Sequence, residues 1–291
     1  MTDIRYALSD RPETAVELRE PAPRAPLGLS LQKLGLTFGG TLAGIPLFAL
    51  FLALWEIAPR AGWLSPIFFP PLSEVVADWL DLAWSGVLIE NTGISLQRAG
   101  IGFGLAVLVA VPLGFLMGHY PRFERITDLL VQTLRNTSYF ALMPVFILLL
   151  GIGEESKVAV TFYASVFFLL INTIAGVKTV DPILVRAARS MGTGDLDLFR
   201  KVILPASIPS IVAGARLAVK SSIFAVIAAE MLGAKSGIGF FIQQSQLMMQ
   251  TQDMYAGILT LTIVGVLINY LLVWFENSVT SWHSGAGRQG S

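Results

Sequence analysis

Six apolar stretches of about 20 residues each constrain the fold of this chain more than any other feature. A helix needs roughly 20 apolar residues to cross the hydrocarbon core of a membrane. Five stretches carry no charged residue, and the fifth in order contains Arg216 and Lys220 but is apolar again from residue 221. We therefore predict an all-α, polytopic membrane protein with six transmembrane helices. The predicted spans are Leu34–Trp55, Ala99–Gly118, Asn136–Gly153, Val158–Val177, Ile208–Ala229 and Met254–Phe275.

Composition excludes several classes of function. Only 14% of the residues are charged, against about 25% in a soluble domain, and the formal net charge is zero, so nucleic acid is not an expected partner. The chain has no cysteine and two histidines, His119 and His283, that lie far apart in sequence. We therefore expect neither a disulfide nor a metal centre.

The distribution of basic residues predicts the topology. With a cytoplasmic N-terminus, fourteen lysines and arginines fall in inside segments and four in outside segments. Because positive residues favour the cytoplasmic side, both termini are expected in the cytoplasm, with residues 59–90 and 233–252 outside. The domains predicted are a disordered N-terminal tail (1–33), a transmembrane domain (34–282) and a C-terminal tail (283–291).

One outside segment has the pattern of an amphipathic helix. From Leu72 to Trp84, apolar residues recur at helical spacing, and Glu74, Asp78 and Asp81 lie off that stripe. Two interpretations stay open, a helix resting on the outer membrane surface and a helix packed on the bundle.

A structured loop is predicted between the fourth and fifth spans, over residues 181–205. Asp181 is a good N-cap and Pro182 suits the first helical position, so a short helix should end where Gly192 stops it. Asp195 is expected to cap a second short helix, residues 196–203, that Pro205 ends. The two helices would form a rigid elbow.

The elbow offers features that suit a partner surface. Ala187 and Ala188 lack bulk, so another surface can approach the backbone closely there, and Leu198 and Phe199 offer apolar anchors. The alternative is a solvated loop without a partner.

These residues resemble the EAA loop of ABC importer permeases. That family's pattern is Glu-Ala-Ala, three residues, Gly, nine residues, Ile-any-Leu-Pro, and this chain keeps the spacing from Ala187 to Pro205. Arg186 stands where the glutamate is expected, and Val202 replaces isoleucine. The resemblance implies that the elbow couples the chain to an ATPase. The implied coupling residues are Arg186, Ala187, Ala188, Gly192, Leu198, Phe199, Leu204 and Pro205.

The resemblance extends over about residues 65–282 and is nearest the branch that imports nitrate, sulfonates, taurine, bicarbonate and some organic acids. It implies a type I importer fold, a homodimer, two ATPase subunits on the cytoplasmic face and an extracytoplasmic solute-binding protein. The chain contains no Gly-x4-Gly-Lys-Ser/Thr phosphate loop. We therefore expect that it is no enzyme and binds no cofactor, with ATP and Mg bound by the partner ATPase in the inner membrane complex.

Polar residues at membrane depth are candidates for a solute path, because such residues are costly there. The set predicted for a small anion is Ser138, Tyr139, Asn172, Thr173, Arg216, Lys220 and Glu230. The competing interpretation is hydrogen bonding between helices or basic side chains that reach the headgroups.

Two other functions are alternatives to a permease subunit. A stand-alone carrier driven by an ion gradient, or a channel, would be expected to bury several carboxylates within its spans. Only Glu56, Glu230 and Glu276 come near, all at span ends. A membrane assembly protein without transport is the third possibility, and neither alternative accounts for the spacing of the elbow.

Overall fold

The structure is a computed structural model that describes residues 29–280, with side chains described for residues 45–278. The secondary structure of this part of the chain is entirely helical. The helices are α1 (Leu29–Arg60), α2 (Leu72–Trp84), α3 (Val87–His119), α4 (Pro121–Arg135), α5 (Tyr139–Leu150), α6 (Glu154–Lys178), α7 (Pro182–Ser190), α8 (Asp195–Leu198), α9 (Leu204–Gly233), α10 (Ile238–Leu247) and α11 (Thr251–Thr280), with a π-turn at Phe199–Ile203. The tail predicted over residues 283–291, and nearly all of the one over residues 1–33, lie outside the described residues.

Four described helices are long and apolar enough to cross a membrane. They are α3, α6, α11 and the continuous run Asp195–Gly233 that contains α8 and α9. The bent pair of α4 and α5 would make a fifth span. The first predicted span lies within α1, whose side chains before Ile45 are outside the described set. The all-α membrane fold is therefore confirmed, and the described residues account for four or five of the six predicted spans.

The third predicted span, Asn136–Gly153, differs most from the structure. Helix α5 has 12 residues, about 18 Å, which is short for a hydrocarbon core of about 30 Å. It meets α4 at a bend of 94°. At the bend, the side chains of Asn136 and Thr137 donate to carbonyls in the last turn of α4, at Gln132 and Thr133. Hydropathy alone gave no sign of this break.

Helix α6 lies at the centre of the bundle, between α3 and α9. Small residues recur every four positions along the face of α3 that meets α6: Gly102, Ala106, Ala110, Gly114 and Gly118. A Cβ at Gly114 would lie 2.6 Å from the Cβ of Thr173, closer than such atoms approach. Small side chains allow the two helices to pack closely. In a membrane, where the hydrophobic effect does not drive helices together, such van der Waals packing stabilises their association.

The amphipathic helix predicted over Leu72–Trp84 is confirmed with those bounds. It packs on α11, where the indole of Trp79 donates a hydrogen bond of 2.9 Å to the hydroxyl of Thr260, and Val75 is buried. These contacts favour the interpretation of a helix packed on the bundle. Leu80 and Trp84 remain exposed on its other side.

Candidate functional site

The first helix of the elbow forms as predicted. The Asp181 carboxylate accepts a 2.8 Å hydrogen bond from the Ile183 amide, and Pro182 occupies the first turn of α7. Gly192 ends the helix with φ +77°, a conformation that favours glycine. The Gly192 amide donates to the Arg189 carbonyl and the Thr193 amide to the Ala188 carbonyl, which together form a Schellman motif.

The second helix of the elbow was predicted wrongly. Helix α8 has four residues, and the chain then continues through the π-turn into α9, so Pro205 does not end a helix but lies in the first turn of α9. The Leu204 amide bonds to the Phe199 carbonyl five residues back. This wide turn accommodates a proline ring that would clash in an ordinary α-helix. Asp195 does not cap α8 with its side chain, and its carboxylate instead pairs with Arg189 at 2.6 Å.

Several predicted contact residues pack inside the elbow. Ala188 and Leu198 are buried in a cluster with Phe115 of α3, and the ring of Phe199 meets that of Phe115 edge-on at 4.8 Å. The same cluster includes Val177 of α6, and the side chain of Leu204 packs against it. These residues therefore hold the elbow on the bundle, whereas Arg186 and Ala187 are exposed. A larger side chain at position 188 would disturb the elbow itself.

Sequence reasoning missed the apolar side chains that the elbow does expose. Met191 is 79% exposed, and Ile183, Leu184 and Leu196 are more than half exposed. Leu184, Ala187 and Met191 also line one side of a groove of about 430 Å³, whose other side includes Pro205. The spacing of residues 184, 187 and 191 places them on one face of a helix, and that periodicity was the available signal.

Three of the seven predicted path residues lie together in one cavity of about 550 Å³. Ser138 and Tyr139 come from the junction of α4 and α5, and Asn172 comes from α6. Sequence reasoning did not identify the other lining residues. They are Arg135, Asn136, Thr137, Tyr163, Ala164, Phe167, Phe168, Ile171 and Ser221.

The remaining path residues lie elsewhere. Thr173 is fully buried against α3, and its hydroxyl donates to the Leu169 carbonyl. Arg216 pairs with Glu276 of α11 at 2.8 Å, which supports the structural interpretation of that arginine. Lys220 is half-buried and does not line the cavity.

Glu230 lies at the centre of a buried ionic network. Its carboxylate accepts from the guanidinium of Arg98 at 2.7 Å, from the hydroxyl of Ser95 at 2.8 Å and from the amide of Gly239 at 3.0 Å. The guanidinium also bonds Glu154 and the carbonyl of Ser236. Glu230 is therefore satisfied by protein groups and joins α3, α9 and α10, in contrast to the predicted role in a solute path.

The turn between α9 and α10 is fixed by the same network. Gly237 has φ +105°, and a Cβ there would overlap the carboxylate of Glu230. The amide of Gly237 donates to Asn91, and the amide of Ile238 donates to Ser95, which attaches the turn to α3. The network therefore requires glycine at this position.

Comparisons with known proteins agree with this architecture. Residues 110–281 match the family model described as "Binding-protein-dependent transport system inner membrane component". The putative aliphatic sulfonates transport permease protein SsuC of Escherichia coli (strain K12) is 34% identical over 232 residues, which cover 80% of this chain and 88% of SsuC. The taurine transport system permease protein TauC of the same organism is 30% identical, with coverage of 81% and 87%.

The fold has relatives among solved structures. A chain of the MetNI methionine ABC transporter, solved in inward facing conformations, superposes with a TM-score of 0.61 at 19% sequence identity. The match covers 69% of this chain and 98% of that chain, so the predicted type I importer fold is confirmed. Together these findings show that the chain belongs to the family of binding-protein-dependent transport system inner membrane components, as a multi-pass ABC transporter permease subunit that is not itself an enzyme.

Proposed function

We propose that two copies of this chain form the membrane pathway of an importer for a small anion, driven by a separate ATPase and supplied by an extracytoplasmic binding protein. ATP and Mg are bound by the ATPase, and this chain binds no cofactor of its own. The permease relatives named for sulfonates and taurine support a solute that carries a sulfonate group. The observation that carries the proposal is the exposed apolar face of an internally rigid elbow.

The exposed face of the elbow suits a groove on the ATPase. Ile183, Leu184, Met191 and Leu196 present apolar surface that would be unfavourable in water, and the burial of each contributes roughly 1–2 kcal/mol. Arg186 lies on the same short helix and is exposed, so it could pair with a carboxylate of the ATPase. The family pattern has a glutamate at the position of Arg186. With an arginine there, the matching place on the ATPase would require an acidic residue.

The packing of the elbow supports transmission of movement to the spans. Ala188 and Leu198 share one buried cluster with Phe115 of α3 and Val177 of α6, and the π-turn continues directly into α9. A force on α7 is therefore transmitted through close contacts to three spans, α3, α6 and α9. Because packed helices move as rigid bodies, closure of the ATPase dimer would rotate them together and alternate access to the pathway.

The proposed orientation places both termini and the elbow in the cytoplasm. Its support is the excess of basic residues, fourteen to four, in the segments assigned to the inside. The proposed second copy follows from the elbow, since each ATPase of a two-fold dimer offers one groove.

The test of this proposal is a charge placed on the exposed face of the elbow. Met191→Glu should leave the chain folded, because this side chain is 79% exposed. It should weaken capture of the transporter's ATPase subunit by at least about 30-fold, equivalent to about 2 kcal/mol. Met248→Glu is the matched control, because Met248 is also exposed but follows α10, in the segment 233–252 that is predicted to lie on the outer side. Equal capture by both variants would remove the main support for coupling through the elbow.

A further inference from the structure

The cavity between the α4–α5 junction, α6 and α9 has two chemically different parts. We propose that it binds the transported solute and that this solute is an organic anion with an apolar or aromatic body, which rests on the proposed function as an importer. The candidates from the sequence included inorganic anions such as nitrate and bicarbonate. The cavity distinguishes between these classes.

One part of the cavity provides donors for an anionic group. Arg135 is the single charged residue among the lining residues, and no carboxylate lies among them. The hydroxyls of Ser138 and Tyr139 have no hydrogen-bond partner in the part of the chain that the structure describes. A sulfonate or carboxylate could therefore accept bonds from a guanidinium and two hydroxyls, and bonds to charged groups are the stronger kind.

The polar groups elsewhere in the cavity make hydrogen bonds within the chain. Tyr163 donates to the carbonyl of Leu134 at 2.6 Å, and Ser221 donates to the carbonyl of Ala164 at 2.9 Å. The amide of Asn172 donates to the carbonyl of Phe168 at 2.8 Å. The two hydroxyls and one N–H of Asn172 are therefore occupied, and the lining side chains without a hydrogen bond to the described residues, Arg135, Ser138 and Tyr139, belong to one segment of the chain.

The other part of the cavity is an apolar wall. Ala164, Phe167, Phe168 and Ile171 lie about one helical turn apart on α6, so they share one face. The lining residues of α6 run from Tyr163 to residue 172, about 13 Å along the helix axis. This wall can pack against a hydrocarbon chain or a ring. It provides no hydrogen-bond donors for an inorganic anion.

The volume of the cavity supports the same conclusion. About 550 Å³ lies within the usual range of about 300–1,000 Å³ for sites that enclose organic ligands. Nitrate or bicarbonate would leave most of it unfilled. If the solute is an organic anion, each additional buried methylene should strengthen binding about fourfold until the apolar wall is covered.

The experiment measures thermal stabilisation of the purified permease–ATPase complex in phosphatidylcholine nanodiscs. The probes are sodium ethanesulfonate, butanesulfonate and hexanesulfonate, with neutral hexanamide and sodium nitrate for comparison. The expected result is stabilisation that increases with sulfonate chain length and is small for hexanamide and nitrate. Arg135→Gln should weaken sulfonate binding at least about tenfold. Arg125→Gln on the same helix, exposed and outside the cavity lining, should bind as the original chain does.

Several results would overturn the inference. These are equal stabilisation by nitrate and hexanesulfonate, no stabilisation by any sulfonate, and unchanged binding in the Arg135→Gln variant. Nanodiscs with phosphatidylglycerol test a lipid headgroup as the source of the anion, and stabilisation by that lipid alone would also contradict a soluble solute. Failure of the proposed function is separate, because it would appear as a chain that does not assemble with the ATPase.

Discussion

Burial predicts that the two carboxylates bound to Arg98 make very different contributions to stability. The side chain of Glu230 is 0% exposed, whereas that of Glu154 is 64% exposed. Glu230→Gln leaves the guanidinium without its buried counterion and places an amide group where the carboxylate accepted from Ser95 and Gly239. Breaking a buried ion pair by removing one partner costs about 3–5 kcal/mol. Glu154→Gln removes an ion pair with a solvent-exposed carboxylate, which costs about 0–1 kcal/mol.

The assay is unfolding of the purified chain in detergent, followed by tryptophan fluorescence as denaturant is increased. The original chain and the two glutamine variants are compared under identical conditions. The expected result is a large loss of stability for Glu230→Gln and a small one for Glu154→Gln. Equal losses would refute the reasoning, because burial would then not determine the strength of these pairs. A loss below about 1 kcal/mol for Glu230→Gln would refute it as well.

Two further predictions concern packing and pH. Gly114→Ala should separate α3 from α6 and lower thermal stability by several degrees, because the added Cβ would lie 2.6 Å from that of Thr173. Gly104→Ala is the matched control, because a Cβ there meets nothing within 4 Å, and it should not lower stability. Burial, together with the charge of Asp253, raises the pKa of Asp78 from 3.8 to about 6. The protonated form therefore stabilises the folded chain fully below about pH 4, and this contribution is lost as the pH rises through about 6. Asp78→Asn should remove that pH dependence in a thermal denaturation series.

The sequence predicted correctly those helices whose bounds depend on neighbouring residues in the chain. The bounds of α2 followed from apolar periodicity, and the first helix of the elbow followed from Asp181, Pro182 and Gly192. The continuation through Pro205 could not be predicted, because the rule that proline ends a helix assumes ordinary α geometry. The π-turn that relieves the clash packs Leu198 and Ile203 in a cluster with Phe115 of α3 and Val177 of α6, contacts that no local pattern reveals.

The polar sites depended on contacts between distant residues. Ser95 and Glu230 are separated by 135 positions, so no local pattern could pair them. In the sequence, Glu230 and Arg216 therefore both looked like unpaired charges at membrane depth. In the structure, Arg216 pairs with Glu276. Arg135 was counted as a loop charge, and the bend between α4 and α5 places it in the cavity.

The central claim is that transport through this chain is driven by a separate ATPase acting on the elbow. The most direct measurement is uptake of a radiolabelled sulfonate into proteoliposomes that contain the chain, its ATPase and its binding protein. The account predicts ATP-dependent uptake that disappears when the ATPase is omitted or when Met191→Glu replaces the original chain. Uptake that persists without the ATPase and follows an imposed ion gradient would contradict the account and identify the chain as a stand-alone carrier.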